Sequence, residues 1–135
     1  MLVEDQGFRL LIDHGLLSKA LTEIKPEAIL ITHAHPDHFL WLKKDEEFQG
    51  KIYLTQETEK LAKFWKNFEI IKKNQEFKVG PFRILAYPVV HSLRAPAVGF
   101  KVTCRGKIFV YNPDIVVMED RQVLSGVDLY IGDGS

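Results

Sequence analysis

Ala28-Ile29-Leu30-Ile31-Thr32-His33-Ala34-His35-Pro36-Asp37-His38 is the stretch that decides how this chain is read. Its first half, Ala28 to Thr32, is an apolar run with the length and branching of a buried strand. It leads directly into His33, His35, Asp37 and His38, four titratable side chains within six positions. Histidines at alternate positions past a strand end can point two imidazoles at one centre. The Asp37-His38 pair can turn toward a neighbouring centre once the backbone leaves the strand. Neutral imidazole and carboxylate are ligands that zinc, manganese and iron accept. A strand end holds such ligands more rigidly than a free loop does. No packing requirement calls for four polar, titratable residues after a buried strand, so the pattern points to a metal site.

Outward from this stretch, short apolar segments alternate with turn residues. Phe8 to Ile12 reads as a strand ending at Asp13-His14-Gly15. Leu16 to Ile24 predicts a short helix, stopped before Pro26 because a residue preceding proline avoids helical geometry. Phe39 to Lys44 reads as a helical turn or two, and Lys51 to Leu54 as a strand. Thr55 suits the N-cap of a further helix. There Leu61, Phe64, Trp65 and Phe68 share one face and predict a core stripe, with Lys60, Lys63 and Lys66 solvated. From Phe77 the pattern is β. Phe82 to Val90 runs up to His91, Val98, Phe100 and Val102 alternate with Gly99, Lys101 and Thr103, and Arg105-Gly106 is a hairpin signal before Ile108 to Tyr111. Val127 to Ile131 is one more strand. The mixed order predicts an α/β or α+β sheet domain.

Composition narrows the function classes. With 135 residues and no linker or repeat, the chain reads as a single domain over 1–135. Eighteen Lys+Arg balance eighteen Asp+Glu, which argues against a dedicated nucleic-acid face and eases self-association. A single cysteine, Cys104, excludes an internal disulfide framework. No apolar run approaches the ~20 residues that span a bilayer, and no signal-peptide pattern opens the chain. The expectation is a cytoplasmic protein with no membrane partner.

Thr32 to His38 resembles the signature of the metallo-β-lactamase superfamily of binuclear metal hydrolases. Leu11-Ile12-Asp13-His14-Gly15 resembles the first family motif, a strand ending in Asp followed by Gly. Pro88-Val89-Val90-His91-Ser92 resembles the third, a strand ending in a single His. Tyr111-Asn112-Pro113-Asp114 resembles the fourth, a strand ending in a bridging Asp. The four come in family order, each at the end of a predicted strand, between Ile12 and Asp114.

The resemblance implies an αββα sandwich, with a first metal held by His33, His35 and His91. It implies a second held by Asp37 and His38, with Asp114 between the two and Asp13 fixing ligand tautomers. His14 occupies a position where the family usually has another residue and is read as a non-ligand. The implied chemistry is hydrolysis in which two cations, zinc or alternatively manganese or iron, make hydroxide available near pH 7. Asp37 would orient that hydroxide and take its proton. Ala97 to Val102 and Lys107 to Tyr111 are similar to the phosphodiesterase and RNase Z-like branch, so the implied substrate is a small-molecule or nucleotide phosphoester. Ser92 and Arg94, just after His91, are candidates to meet its phosphate.

The family pattern is longer than this sequence at both ends. Met1 to Asp5 resembles the second strand of an opening hairpin, and Asp128 to Ser135 the strand after the bridging Asp. No histidine follows His91 to match the last family motif. The expectations are therefore one tight and one weak metal, uncovered strand edges that favour a homo-oligomer, and an incomplete domain. The alternative to a hydrolase is a non-catalytic metal-binding or interaction domain. The iron-dependent oxidoreductase branch is a third option, and no feature supports a flavin partner.

Overall fold

The computed structural model describes residues 1–15, 23–64 and 67–132. Strands β1 (Leu2–Asp5), β2 (Phe8–Ile12), β3 (Ala28–Leu30), β4 (Lys51–Thr55) and β5 (Phe68–Ile71) form one sheet in that spatial order. The β1–β2 pair is antiparallel; β2, β3, β4 and β5 run parallel. The second sheet contains β6 (Glu76–Val79), β7 (Phe82–Val90), β8 (Ala97–Cys104), β9 (Lys107–Asn112), β10 (Val117–Met118) and β11 (Leu129–Gly132). Its order is β10-β7-β8-β9-β11, with β6 also on β7. Gln6-Gly7 and Arg105-Gly106 close the β1–β2 and β8–β9 hairpins, all four residues at positive φ as two-residue turns of primed type require.

Alternation of side chains along the strands sorts the core into layers. Leu10, Ile12, Ala28 and Leu30 face inward and pack between the sheets against Phe82, Ile84, Ala86, Val98, Phe100 and Val102. Leu11, Ile29, Ile31, Ile52 and Leu54 face outward and meet Phe39 and Leu42 of helix α1 (Pro36–Lys44) and Ala62 of helix α2 (Gln56–Ala62). On the far side of the second sheet, Tyr87, Val89, Ala97 and Val110 pack with Val123 of the 3₁₀ turn Arg121–Leu124. The arrangement is a two-sheet α/β sandwich, as the motifs lead one to expect.

Two local expectations meet the structure differently. Thr55 does cap α2, its side chain accepting a hydrogen bond from the Thr58 N–H. The four-residue stripe does not form. The helix ends at Ala62, and Lys63 turns the chain in a left-handed conformation, φ 53°. Leu61 is half exposed, while Phe68 opens β5 and pairs with Ile52. Tertiary pairing along β4 outweighs the helical spacing, because a parallel strand there satisfies a row of backbone groups. Trp65, most of the expected Leu16–Ile24 helix and residues 133–135 lie outside the described residues.

Candidate metal centre

Four loops converge at the C-terminal ends of β2, β3, β7 and β9. They carry, in turn, Asp13; His33, His35, Asp37 and His38; His91; and Asp114. The sheets meet at this end, where Val98 N–H donates to the Thr32 carbonyl at 3.0 Å. Asp13 sits at φ 59° and Asp114 at φ 24°, a region side chains other than glycine seldom adopt. Asp13 is held there from several sides. Its N–H donates to the Leu30 carbonyl at 2.9 Å. Its Oδ1 accepts from Thr32 N–H at 2.9 Å and its Oδ2 from Thr32 Oγ1 at 2.8 Å.

The ligand atoms fall into two groups that share Asp114: His33, His35, His91 and Asp114, and Asp37, His38 and Asp114. Within each group all atoms lie within 4.8 Å of one another. His33 Nε2 is 3.1 Å from His35 Nδ1, and His91 Nε2 is 3.0 Å from the same Nδ1. His33 Nε2 is 3.9 Å from Asp114 Oδ2. A tetrahedral ion with bonds of about 2.0–2.2 Å spaces its ligands roughly 3.3–3.6 Å apart, so small adjustments admit one. Three imidazole nitrogens and a carboxylate oxygen aimed at one centre are also the donor set such an ion takes.

Electrostatics suit the two positions. Burial first, then the neighbouring His38, His35 and His91, lower the pKa of fully buried His33 to about 3, so it is neutral and able to bind a cation. At His38 burial also pulls the pKa down. The hydrogen bond to Asp13 and the charges of Asp13, Asp37 and Asp114 outweigh it, and the net shift is upward. His38 Nδ1 lies 2.8 Å from Asp13 Oδ2. Its Nε2 lies 3.1 Å from Asp114 Oδ2 and 3.5 Å from Asp37 Oδ2. Three carboxylates around one imidazole call for positive charge at Nε2, from a proton or a metal. His33 forms the floor of the site, and the Asp37 carboxylate, 63% exposed, stands at its mouth.

Residues around the centre divide by what they touch. His14 is outside both groups. Its Nε2 faces Asp45 Oδ2 at 3.2 Å. Its backbone straddles α1, with N–H donating to the His38 carbonyl at 2.8 Å and C=O accepting from Leu42 N–H at 3.0 Å. Gly15 packs so tightly on the Asp37 carbonyl that no Cβ would fit. Ser92 Oγ accepts from Arg94 N–H at 3.1 Å, a local turn contact, and Arg94 is exposed. The sequence reading assigned nothing to Thr32 or Asp45. For Thr32 a signal was present: a polar residue closing an apolar strand, directly before a ligand candidate.

Sandwich and side-chain set together define a class, the metallo-β-lactamase fold with a His/Asp group able to hold metal. Residues 11–135 match the family described as beta-lactamase superfamily domain, and the chain belongs to that family. Among solved structures it is similar to the metallo-beta-lactamase fold protein YhfI from Bacillus subtilis, at 22% identity and TM-score 0.65, covering 82% of this chain and 52% of that one. Zn(2+)-bound PqqB from Methylobacterium extorquens matches at 19% identity and TM-score 0.72, covering 99% and 59%. A diphosphatase from the PhnP family matches at 19% and TM-score 0.73, covering 96% and 57%. At these identities the likeness is one of fold. The chain spans little more than half the length of these structures. No curated protein sequence matches it. Among the described residues, no helix is long and apolar enough to cross a membrane.

Proposed function

We propose that this chain carries the metal centre of a metal-dependent hydrolase of phosphodiesters, with zinc as the ion and manganese or iron as substitutes. The observation that carries this reading is the pair of convergent ligand groups joined by Asp114, graded from the buried His33 to the open Asp37. A neighbour described as a diphosphatase supports the choice of phosphoester over other substrates. Divalent cations bound here would supply Lewis-acid polarisation of a phosphoryl oxygen and a water that ionises near neutral pH. The chain's own residues do the rest. Asp37 orients the attacking water and accepts its proton. Asp13 and Asp114 hold His38 from both ring nitrogens. The lone Cys104, free and half-buried, suits a reducing cytoplasm. Exposed Leu129 and Tyr130 on β11, which ends the second sheet among the described residues, favour self-association.

Hydrolysis of bis(p-nitrophenyl) phosphate with added Zn²⁺ or Mn²⁺, compared with His35→Ala, tests the proposal. The variant is expected to lose at least ~100-fold in rate. Activity that survives it refutes the site. Purified protein should retain close to one tight ion per chain, and less than about half an equivalent refutes metal binding. Bound metal without turnover on phosphoesters removes the phosphodiesterase reading and favours the alternative, a non-catalytic metal-binding or interaction domain.

A further inference from the structure

The Thr32 hydroxyl stands between two residues of the centre. Its Oγ1 is 2.8 Å from Asp13 Oδ2 and 2.9 Å from His33 Nδ1, and the residue is fully buried. A hydroxyl has one proton to give. Asp13, as a carboxylate, can only accept, so that proton points to Oδ2. Oγ1 then presents lone pairs to His33, and Nδ1 must carry the imidazole proton. Nε2 is left bare, on the side where His35 Nδ1 and Asp114 Oδ2 lie. At His38 the same carboxylate acts without an intermediary. Nδ1 faces Asp13 Oδ2 directly, and Nε2 is turned to Asp114 and Asp37.

We propose that Thr32 is a positioning residue that relays Asp13 to His33 and so sets the His33 tautomer. One carboxylate thereby holds the proton of a histidine in each ligand group: His38 directly, His33 through the hydroxyl. The backbone of the same residue completes the arrangement. Thr32 N–H binds Asp13 Oδ1, and its carbonyl accepts from Val98 N–H across the sandwich. The strand end is thus pinned in both directions, and hydroxyl rotation is determined by its two partners. The effect on metal rests on the proposed metal centre; the tautomer does not.

Two measurements test it. Long-range ¹H–¹⁵N correlation spectra of the full chain at pH 7 report the tautomer directly. A protonated Nδ1 at His33 is expected, and a protonated Nε2 overturns the proposal. Zinc titrations then compare wild type, Thr32→Val and Thr32→Ser. The step abolished by His35→Ala marks the first position and that abolished by His38→Ala the second. Thr32→Val keeps the shape without the hydroxyl and should weaken the first position about 10- to 100-fold while sparing the second. Thr32→Ser should restore it. A purely structural threonine would affect both positions alike. A folded Thr32→Val protein with wild-type affinity at the first position overturns the relay. Should Thr32→Val not fold, the wild-type tautomer decides. Wild-type protein that binds no zinc overturns the metal centre and leaves the tautomer result standing.

Discussion

Gly15→Ala should remove one metal position and spare the other. A Cβ built at Gly15 would fall on the carbonyl of Asp37 and against the backbone N of His38. To reach the 3.0 Å that real Cβ contacts keep, the Asp37 carbonyl oxygen must retreat by about 1.5 Å and the His38 nitrogen by about 0.6 Å. Metal ligands tolerate deviations of only about 0.2 Å. Asp37 and His38 would therefore leave the position they share with Asp114. His14, whose N–H holds the His38 carbonyl, offers no slack, because its own carbonyl is tied to Leu42 N–H one turn further along α1. His33, His35 and His91 are placed by β3 and β7 and should still converge. Overpacking of this kind costs about 1–3 kcal/mol, within what a domain with roughly 5–15 kcal/mol in hand survives. Zinc titration should show one strong ion and no second, with phosphodiester turnover reduced ~100-fold or more. A Gly15→Ala protein that binds two ions with wild-type affinity would refute the close-approach reasoning.

Three further outcomes follow from packing and charge. In metal-free protein the His33 pKa is lowered to about 3, against ~6.5 in the unfolded chain. Between these values only the unfolded state takes the proton, so stability falls with falling pH, by about 2–3 kcal/mol between pH 6.5 and 4.5. His38 is shifted the other way. Its stabilising contribution is complete below the unfolded value and lost as pH rises, so it does not oppose the His33 slope between pH 6.5 and 4.5. Urea unfolding at several pH values should show this slope; a flat profile refutes it. Tyr87→Phe should cost about 1–3 kcal/mol, because the buried Tyr87 hydroxyl donates to Asn112 Oδ1 and its loss leaves that oxygen unpaired. An unchanged urea midpoint would contradict this. Leu129→Lys should shift any oligomer toward monomer by light scattering, and an unaltered mass would remove β11 from the interface.

Much of this protein is written locally. Apolar runs specify β2 and β7, alternation specifies β8, Arg105-Gly106 specifies its hairpin, and Thr55 specifies a helix start, because each depends on backbone sterics and near-neighbour hydrogen bonds. The ligand candidates were legible too, since each is tied to a strand end and a loop that starts there. The aromatic stripe fails to form for the complementary reason. Leu61, Phe64 and Phe68 have helical spacing, but β4 offers Phe68 a parallel partner in Ile52 that no local pattern announces.

What the sequence determined by itself is the chemistry of the site: which side chains can ligate, and in what order they occur. Tertiary structure alone decided that His35 and His91, 56 positions apart, stand 3.0 Å from one another. It also decided that Asp114 lies between two groups and that Thr32 spans Asp13 and His33. Ligand types follow from composition at a strand end. Ligand distances follow from how two sheets pack, and the apolar layer of Leu10, Leu30, Ile84 and Phe100 sets that packing.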